Sequence, residues 1–410
     1  MDFLDTIVRR NPSLIQTAVS MHQRNELPAD SVVVDLDMVE ENAVKILDAA
    51  AGRGIHLYFM TKQFGRNPEI CRTLNNVGID KAVAVDLEDG ICLQKNGIRV
   101  GHIGHLVQIP KASIRYVLSS MAPEVITVFS YEKALQISEV AKDLGIVQNL
   151  LIRVVGKGDF FYPFQFGGIE EEDLLETVGK ICELPSVKVV GVVSFPCFRF
   201  DVKARKTMPM PNLFTLKRTA ETLEKELGLR ITQINAPGDS SAQMMDQFKE
   251  LGVTHVEPGN AFTGTTPWHA FEDLPEKPAW LYLSEISHVN GDNAYAIGGG
   301  LMSGDSPMGI WSTLYHNHRL NALSGDNVDS ILRRKILAER SGYIDYYGTL
   351  YGNREVEFSV GDSVIYGLRN QVFVSRANVA IVKGIQSHKP VLLGIFDRLG
   401  NPIETSFFGR

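Results

Sequence analysis

The stretch Tyr58-Phe59-Met60-Thr61-Lys62-Gln63-Phe64-Gly65 carries a short apolar run straight into a lysine and, three residues on, a glycine. An apolar run too short for a helix and bounded by polar residues reads as a strand buried on both faces, leaving the core at Lys62. The same unit recurs. Apolar, β-branched runs at residues 57–60, 82–85, 106–109, 125–128, 150–154, 189–193, 231–234 and 254–256 alternate with segments whose apolar residues stand three and four apart. Segments 69–77, 131–144, 170–183 and 213–227 are examples. That alternation is the pattern of βαβ units, and eight of them over roughly 250 residues predict a (β/α)8 barrel, an α/β fold, rather than an open sheet.

Several of these runs end on a polar side chain. Lys62 follows the first, Arg153 lies in the fifth, Ser194 follows the sixth, Asn235 the seventh and Glu257 the eighth. Any one of them suits a strand simply leaving the core. Their convergence on one rim is what a barrel with chemistry at its C-terminal face requires.

The flanks differ from this rhythm. Residues 1–30 read as a helical arm, and residues 31–36 run into an amphipathic helix over 38–47. From residue 276 onward short β-rich runs separated by Gly, Asn and Asp turns predict a β-domain. Its strands are expected at 280–286, 294–297, 356–358, 363–367, 372–374, 379–382 and 391–395, with a helix over 327–342. The expected division is therefore 1–30, 31–275 and 276–410.

Composition limits the function. Over 410 residues, 44% hydrophobic and 22% charged residues describe an ordinary globular chain, and a net charge of −7 argues against a general nucleic-acid surface. No apolar run approaches the ~20 residues needed to span a bilayer. The start lacks a secretory pattern, and Cys71, Cys92, Cys182 and Cys197 have no ligand-like spacing, so a cytoplasmic location is expected. His316-Asn317-His318 lacks supporting Cys or carboxylate neighbours, and no metal is expected.

A lysine on an inner barrel rim has a partly desolvated amine, which suits it to bond covalently to a carbonyl; the same position also suits a solvated lysine. Two loops can cradle an anion: Asn235-Ala236-Pro237-Gly238-Asp239-Ser240-Ser241 after the seventh run, and Glu257-Pro258-Gly259-Asn260-Ala261 after the eighth. Barrels commonly bind phosphate there, through backbone N–H groups and hydroxyls.

Lysine after strand one, arginine in strand five, a Gly/Ser loop after strand seven and a Pro-Gly pair after strand eight together resemble the alanine racemase and ornithine decarboxylase group. These are fold-type III enzymes that use pyridoxal 5′-phosphate (PLP). The likeness covers nearly the whole chain. Asp35-Leu36-Asp37 with Asn42 resembles the family's opening strand and helix, and Phe164-Gln165-Phe166-Gly167 resembles a decarboxylase motif. Gly361-Asp362 followed by Tyr366-Gly367-Leu368-Arg369 resembles the YhfX-type branch. The resemblance implies PLP as a Schiff base on Lys62, phosphate held by Ser240, Gly259 and Asn260 with Gly238 and Asp239 nearby, and Arg153 beside the ring. Asn235 belongs to the same set, and Glu257 takes the place facing the pyridine nitrogen.

The two halves of the likeness point to different reactions. A carboxylate at the pyridine nitrogen is decarboxylase-like, because it favours a protonated ring and a strong electron sink. Gly342-Tyr343-Ile344-Asp345-Tyr346 instead resembles the racemase segment whose tyrosine faces the lysine across the substrate, and interface packing is the other reading of so many tyrosines. No cysteine lies beyond Cys197, so the decarboxylases' cysteine-bearing segment is absent. Amino-acid racemisation is therefore expected, with Lys62 and Tyr343 as acid/base pair, in a homodimer; amino-acid decarboxylation and PLP binding without turnover are the alternatives. Phe64 stands where racemases place a phosphate-binding tyrosine, and Ser194-Phe195-Pro196-Cys197 where decarboxylases stack a histidine. The basic segment 199–211, with Arg199, Lys203, Arg205 and Lys206, reads either as a lid for an acidic substrate or as a solvated loop.

Overall fold

The computed structural model describes residues 2–301, 319–341, 344–352, 357–369, 371–404 and 406. The chain forms two compact units, one of residues 46–61 and 74–259, the other of residues 1–45, 62–73 and 260–410.

In the first unit parallel strands follow the spatial order His56–Leu57, His255–Val256, Gln233–Asn235, Val187–Val193, Gln148–Val155, Val125–Val128, Val100–Ile103, Ala82–Ala84 and Phe59–Met60. Only Tyr58 separates the first of these from the last, so the order returns to its start and makes a β/α barrel. Val125–Val128 is buried at every residue, as a strand covered on both faces must be. The helix Tyr131–Leu144 shows why the intervening segments fold. Its buried residues Ala134, Ile137, Ser138 and Ala141 fall on one stripe, the Ser130 side chain caps its first turn, and Gly145 ends it at φ +67°. A cap of this kind contributes about 1 kcal/mol.

One strand is displaced from the sequence expectation. The third is Val100–Ile103, and 106–109 is irregular. Gly101 and His102 interrupt the apolar run there, which hides it from a hydrophobicity reading. Gly101 is needed because a Cβ would stand 2.6 Å from the Tyr58 ring.

The second unit opens with the helices Phe3–Arg10 and Pro12–Gln23. Asn11 caps the second of them, and Leu14, Ile15, Ala18 and Val19 enter a core with Leu281, Leu283, Ile365 and Ala380. Ser31–Asp35 lies in the sheet of this unit, antiparallel to Trp280–Asn290 and parallel to Asn378–Lys383. Six antiparallel strands close a ring in the order Trp280–Asn290, Asn293–Ile297, Tyr347–Tyr351, Lys335–Glu339, Arg319–Gly325, Ser363–Tyr366 and back.

Two local expectations fail here, and two strands lie where none was expected. The helix over 327–342 is only Val328–Ile331, after which Lys335–Glu339 is a strand with Ile336 and Ala338 inside. Its residues favour helix individually, but pairing with Arg319–Gly325 overrides them. Val372–Val374 is a 3₁₀ turn, and Arg319–Gly325 and Tyr347–Tyr351 are strands that the sequence did not announce. The expected strand at 356–358 falls partly outside the described residues.

Candidate active site

Lys62 opens a 3₁₀ turn, Lys62–Phe64, directly beyond Phe59–Met60 and is half-buried. The strand leading to it is tied down on two sides. Met60 N–H donates to the Pro258 carbonyl at 2.8 Å. Thr61 Oγ1 donates to Asp89 Oδ2 at 3.3 Å, an oxygen that also accepts from Val85 N–H. Lys62 therefore leaves the barrel two residues past a bond to the segment that carries Glu257 and Gly259.

Glu257 is buried inside the barrel, with 1% of its side chain exposed. Its Oε1 accepts from His102 Nδ1 at 2.7 Å and from Asn235 Nδ2 at 2.8 Å. With Nδ1–H turned to the carboxylate, His102 Nε2 meets the Thr127 hydroxyl at 2.6 Å. Burial alone raises the Glu257 carboxyl, but the charges of His102 and His105 and the two hydrogen bonds outweigh it and bring it down to about 2. The second oxygen, Oε2, is buried and meets no hydrogen-bond partner among the described residues. A carboxylate fixed in its ionised form with one oxygen unmet calls for a single N–H donor. The protonated pyridine nitrogen of PLP is such a donor, so these residues fit that cofactor.

Arg153 bonds backbone carbonyls through its guanidinium. Its Nε donates to the Gly167 carbonyl at 2.8 Å, Nη1 to that of His105 at 3.1 Å and Nη2 to that of Gln165 at 2.9 Å. The guanidinium faces the Phe129 ring, 4.9 Å from its centroid, and burial pushes its pKa down to about 10. It organises the loop 156–168 and the turn at His105.

After Gln233–Asn235 the chain turns at Gly238, φ +144°, where a Cβ would stand 2.5 Å from the Phe198 carbonyl oxygen. Ser240 is buried and its Oγ donates to the Gly238 carbonyl at 3.1 Å. Asp239 Oδ2 accepts from Thr207 Oγ1 at 3.4 Å. Asn235 points its amide at Glu257, so it orients that carboxylate rather than the loop. Gly259 follows Glu257 and Pro258. In the second unit the Asn260 amide, oriented with its oxygen toward donors, accepts from Arg369 Nε and Nη2 at 2.8 Å each. Phe195 meets His105 edge-on at 5.8 Å and Tyr162 at 5.8 Å.

Tyr343, His316 and His318 lie outside the described residues. Among the described residues no group of three or more His, Cys, Asp or Glu side chains is placed to hold a metal, and no helix is long and apolar enough to cross a membrane.

The alanine racemase N-terminal domain model matches residues 34–267. The chain belongs to that family. The model of the YhfX-like C-terminal domain matches residues 281–392, and the chain is 36% identical to the uncharacterised protein YhfX of Escherichia coli K12, over 98% of this chain and 99% of that one. Members of the family are PLP-dependent enzymes, racemases and decarboxylases among them. Among solved structures it is similar to Clostridium difficile alanine racemase in complex with cycloserine, with a TM-score of 0.62 and 17% identity over 91% of this chain and 99% of that one. D-threonine aldolase from Filomicrobium marinum gives 0.66 and 13% over 92% and 96%. Diaminopimelate decarboxylase from M. jannaschii, with L-lysine, gives 0.58 and 14% over 95% and 93%. At these identities the likeness establishes the fold.

The sequence reading missed His102, His105 and Thr127. The signal is present in Gly101-His102-Ile103-Gly104-His105, two histidines three apart between glycines, but the third strand, Val100–Ile103, lies ahead of the apolar run 106–109 that the hydrophobicity pattern marks.

Proposed function

We propose that this protein is a PLP-dependent enzyme acting at the Cα of an amino acid, and that it racemises its substrate. The observation that carries the cofactor assignment is the ionised Glu257 carboxylate with Oε2 unmet in the barrel. PLP supplies an electron sink for the pair left when the Cα proton departs. Lys62 Nζ would anchor the cofactor and take or return that proton on one face. Tyr343 acts on the other, at its hydroxyl. Glu257 Oε2 would receive the ring N–H of the bound cofactor, while His102 and Asn235 fix the carboxylate through Oε1. Gly238, Ser240, Gly259 and Asn260 would hold the phosphate, with Asp239 at the edge of the loop, and Arg153 would shape the wall beside the ring. Residues 31–275 carry this site and 276–410 the β-domain, in a cytoplasmic homodimer.

Glu257 also favours a second reading, amino-acid decarboxylation, because a protonated ring suits the stronger electron demand of that reaction. The test is the visible spectrum of purified protein with PLP, wild type beside Lys62→Ala, followed by amino acids in deuterated water. A cofactor band lost in the variant, then deuterium at Cα of an inverted product, supports racemisation. Release of carbon dioxide supports the second reading. No band in the wild type after added PLP refutes both.

A further inference from the structure

With each Arg153 nitrogen bound to a backbone carbonyl, a carboxylate arriving at this rim needs a different cation. Arg199 stands in the hairpin formed by Phe198–Asp201 and Lys206–Pro209. That hairpin is joined to the loop after Gln233–Asn235. Cys197 N–H donates to the Pro237 carbonyl at 3.1 Å, Gly238 packs on the Phe198 backbone, and Thr207 reaches Asp239. The Arg199 guanidinium carbon lies 4.1 Å from the Phe160 ring centroid and 5.6 Å from that of Tyr162. From there an unbroken line of rings runs inward. Tyr162 meets Phe195 at 5.8 Å, Phe195 meets His105 at 5.8 Å, and His105 meets His102 at 5.2 Å, beside Glu257.

Arg199 makes no ion pair among the described residues, and its Nε is buried without an acceptor. Other arginines of the same unit, Arg53 and Arg218, are paired with Asp246 and Glu171. A buried N–H with no acceptor is rare enough to need a reason. Nε and the adjacent Nη together form the guanidinium edge that grips a carboxylate through two parallel hydrogen bonds. Two aromatic faces hold the plane of that edge and shield it from water. Lys203, Arg205 and Lys206 are exposed at the hairpin tip, where they raise the local concentration of anions.

We propose that Arg199 receives a carboxylate of the substrate, so that the site selects amino acids over amines lacking that group. The inference rests on the proposed function for where the rest of the substrate sits. Its test is separable, because the cofactor band reads that function and a carboxylate probe reads Arg199. The probe is carboxyl-¹³C propionate, with propionamide as control, followed by line broadening on the full-length protein in wild type, Arg199→Gln and Arg199→Lys. The wild type should broaden propionate and not propionamide, and Arg199→Gln should weaken propionate about tenfold or more. Arg199→Lys, which keeps the charge but loses the fork, should fall between them. On holoenzyme, spectral titration with alanine should weaken to the same degree in Arg199→Gln while alaninamide is unaffected. Equal propionate affinity in all three proteins, or parallel losses for alanine and alaninamide, would overturn the proposal. If the wild type shows no cofactor band the proposed function falls, and the propionate series still decides for or against Arg199.

Discussion

His102→Leu should cost the barrel roughly 3 kcal/mol and reverse the sign of its acid dependence. Two estimates give that magnitude. Lowering a carboxyl from 4.5 to about 2 corresponds to about 3 kcal/mol of interaction favouring the ionised form. Removing one partner of a buried ion pair costs ~3–5 kcal/mol. In the wild type the Glu257 contribution is complete above about 4.5 and is lost as pH falls toward about 2. Without His102, burial dominates and raises the carboxyl, so stability should instead fall as pH rises through that raised value. Urea unfolding by circular dichroism at a series of pH values reads both effects. Trp268 and Trp280 lie in the other unit and make fluorescence the poorer probe. In a Glu257→Gln background His102→Leu should cost much less, since no charge is left uncompensated. Equal costs in the two backgrounds would refute the argument and make His102 a packing residue.

Other changes test other parts of the structure. Gly238→Ala should unsettle the loop 236–241 and weaken PLP binding, measured by equilibrium dialysis, because its Cβ would collide with the Phe198 backbone at a φ alanine avoids. In the second unit burial holds His22 below its usual 6.5 despite Glu285, so protonation favours unfolding. Stability should drop as pH falls below about 6.5, and His22→Gln should remove that part of the titration. Asp30, raised to about 7 by burial, should make the wild type less stable as pH rises toward 7, and Asp30→Asn should unfold at higher urea than wild type at pH ~8.

The barrel was legible because its strands are buried on both faces and so read as continuous apolar runs. Val125–Val128 and the helix Tyr131–Leu144 fall where the pattern puts them. The third strand was not, because Gly101 and His102 serve the interior of the barrel rather than the apolar count. Lys62, Glu257 and Asn235 could be picked out as polar residues at strand ends. The pairing of Glu257 with His102 could not, since residues 155 positions apart meet only once the sheet is closed. Lys335–Glu339 was misread because its partner Arg319–Gly325, rather than its own propensity, decides its conformation.

The position of Ser31–Asp35 has a bearing on how the chain is made. This strand is synthesised long before its partners, Trp280–Asn290 and, in parallel, Asn378–Lys383. Its apolar residues Val32, Val33 and Val34, with the helices before them, must wait for those later strands before their neighbours exist. The segment 74–259 can form its parallel sheet well before that, so nascent chains should pass through a stage with a folded interior segment and an unpaired strand at 31–35. A translation arrest late in the sequence would strand the protein there, with a β-branched edge open to other chains.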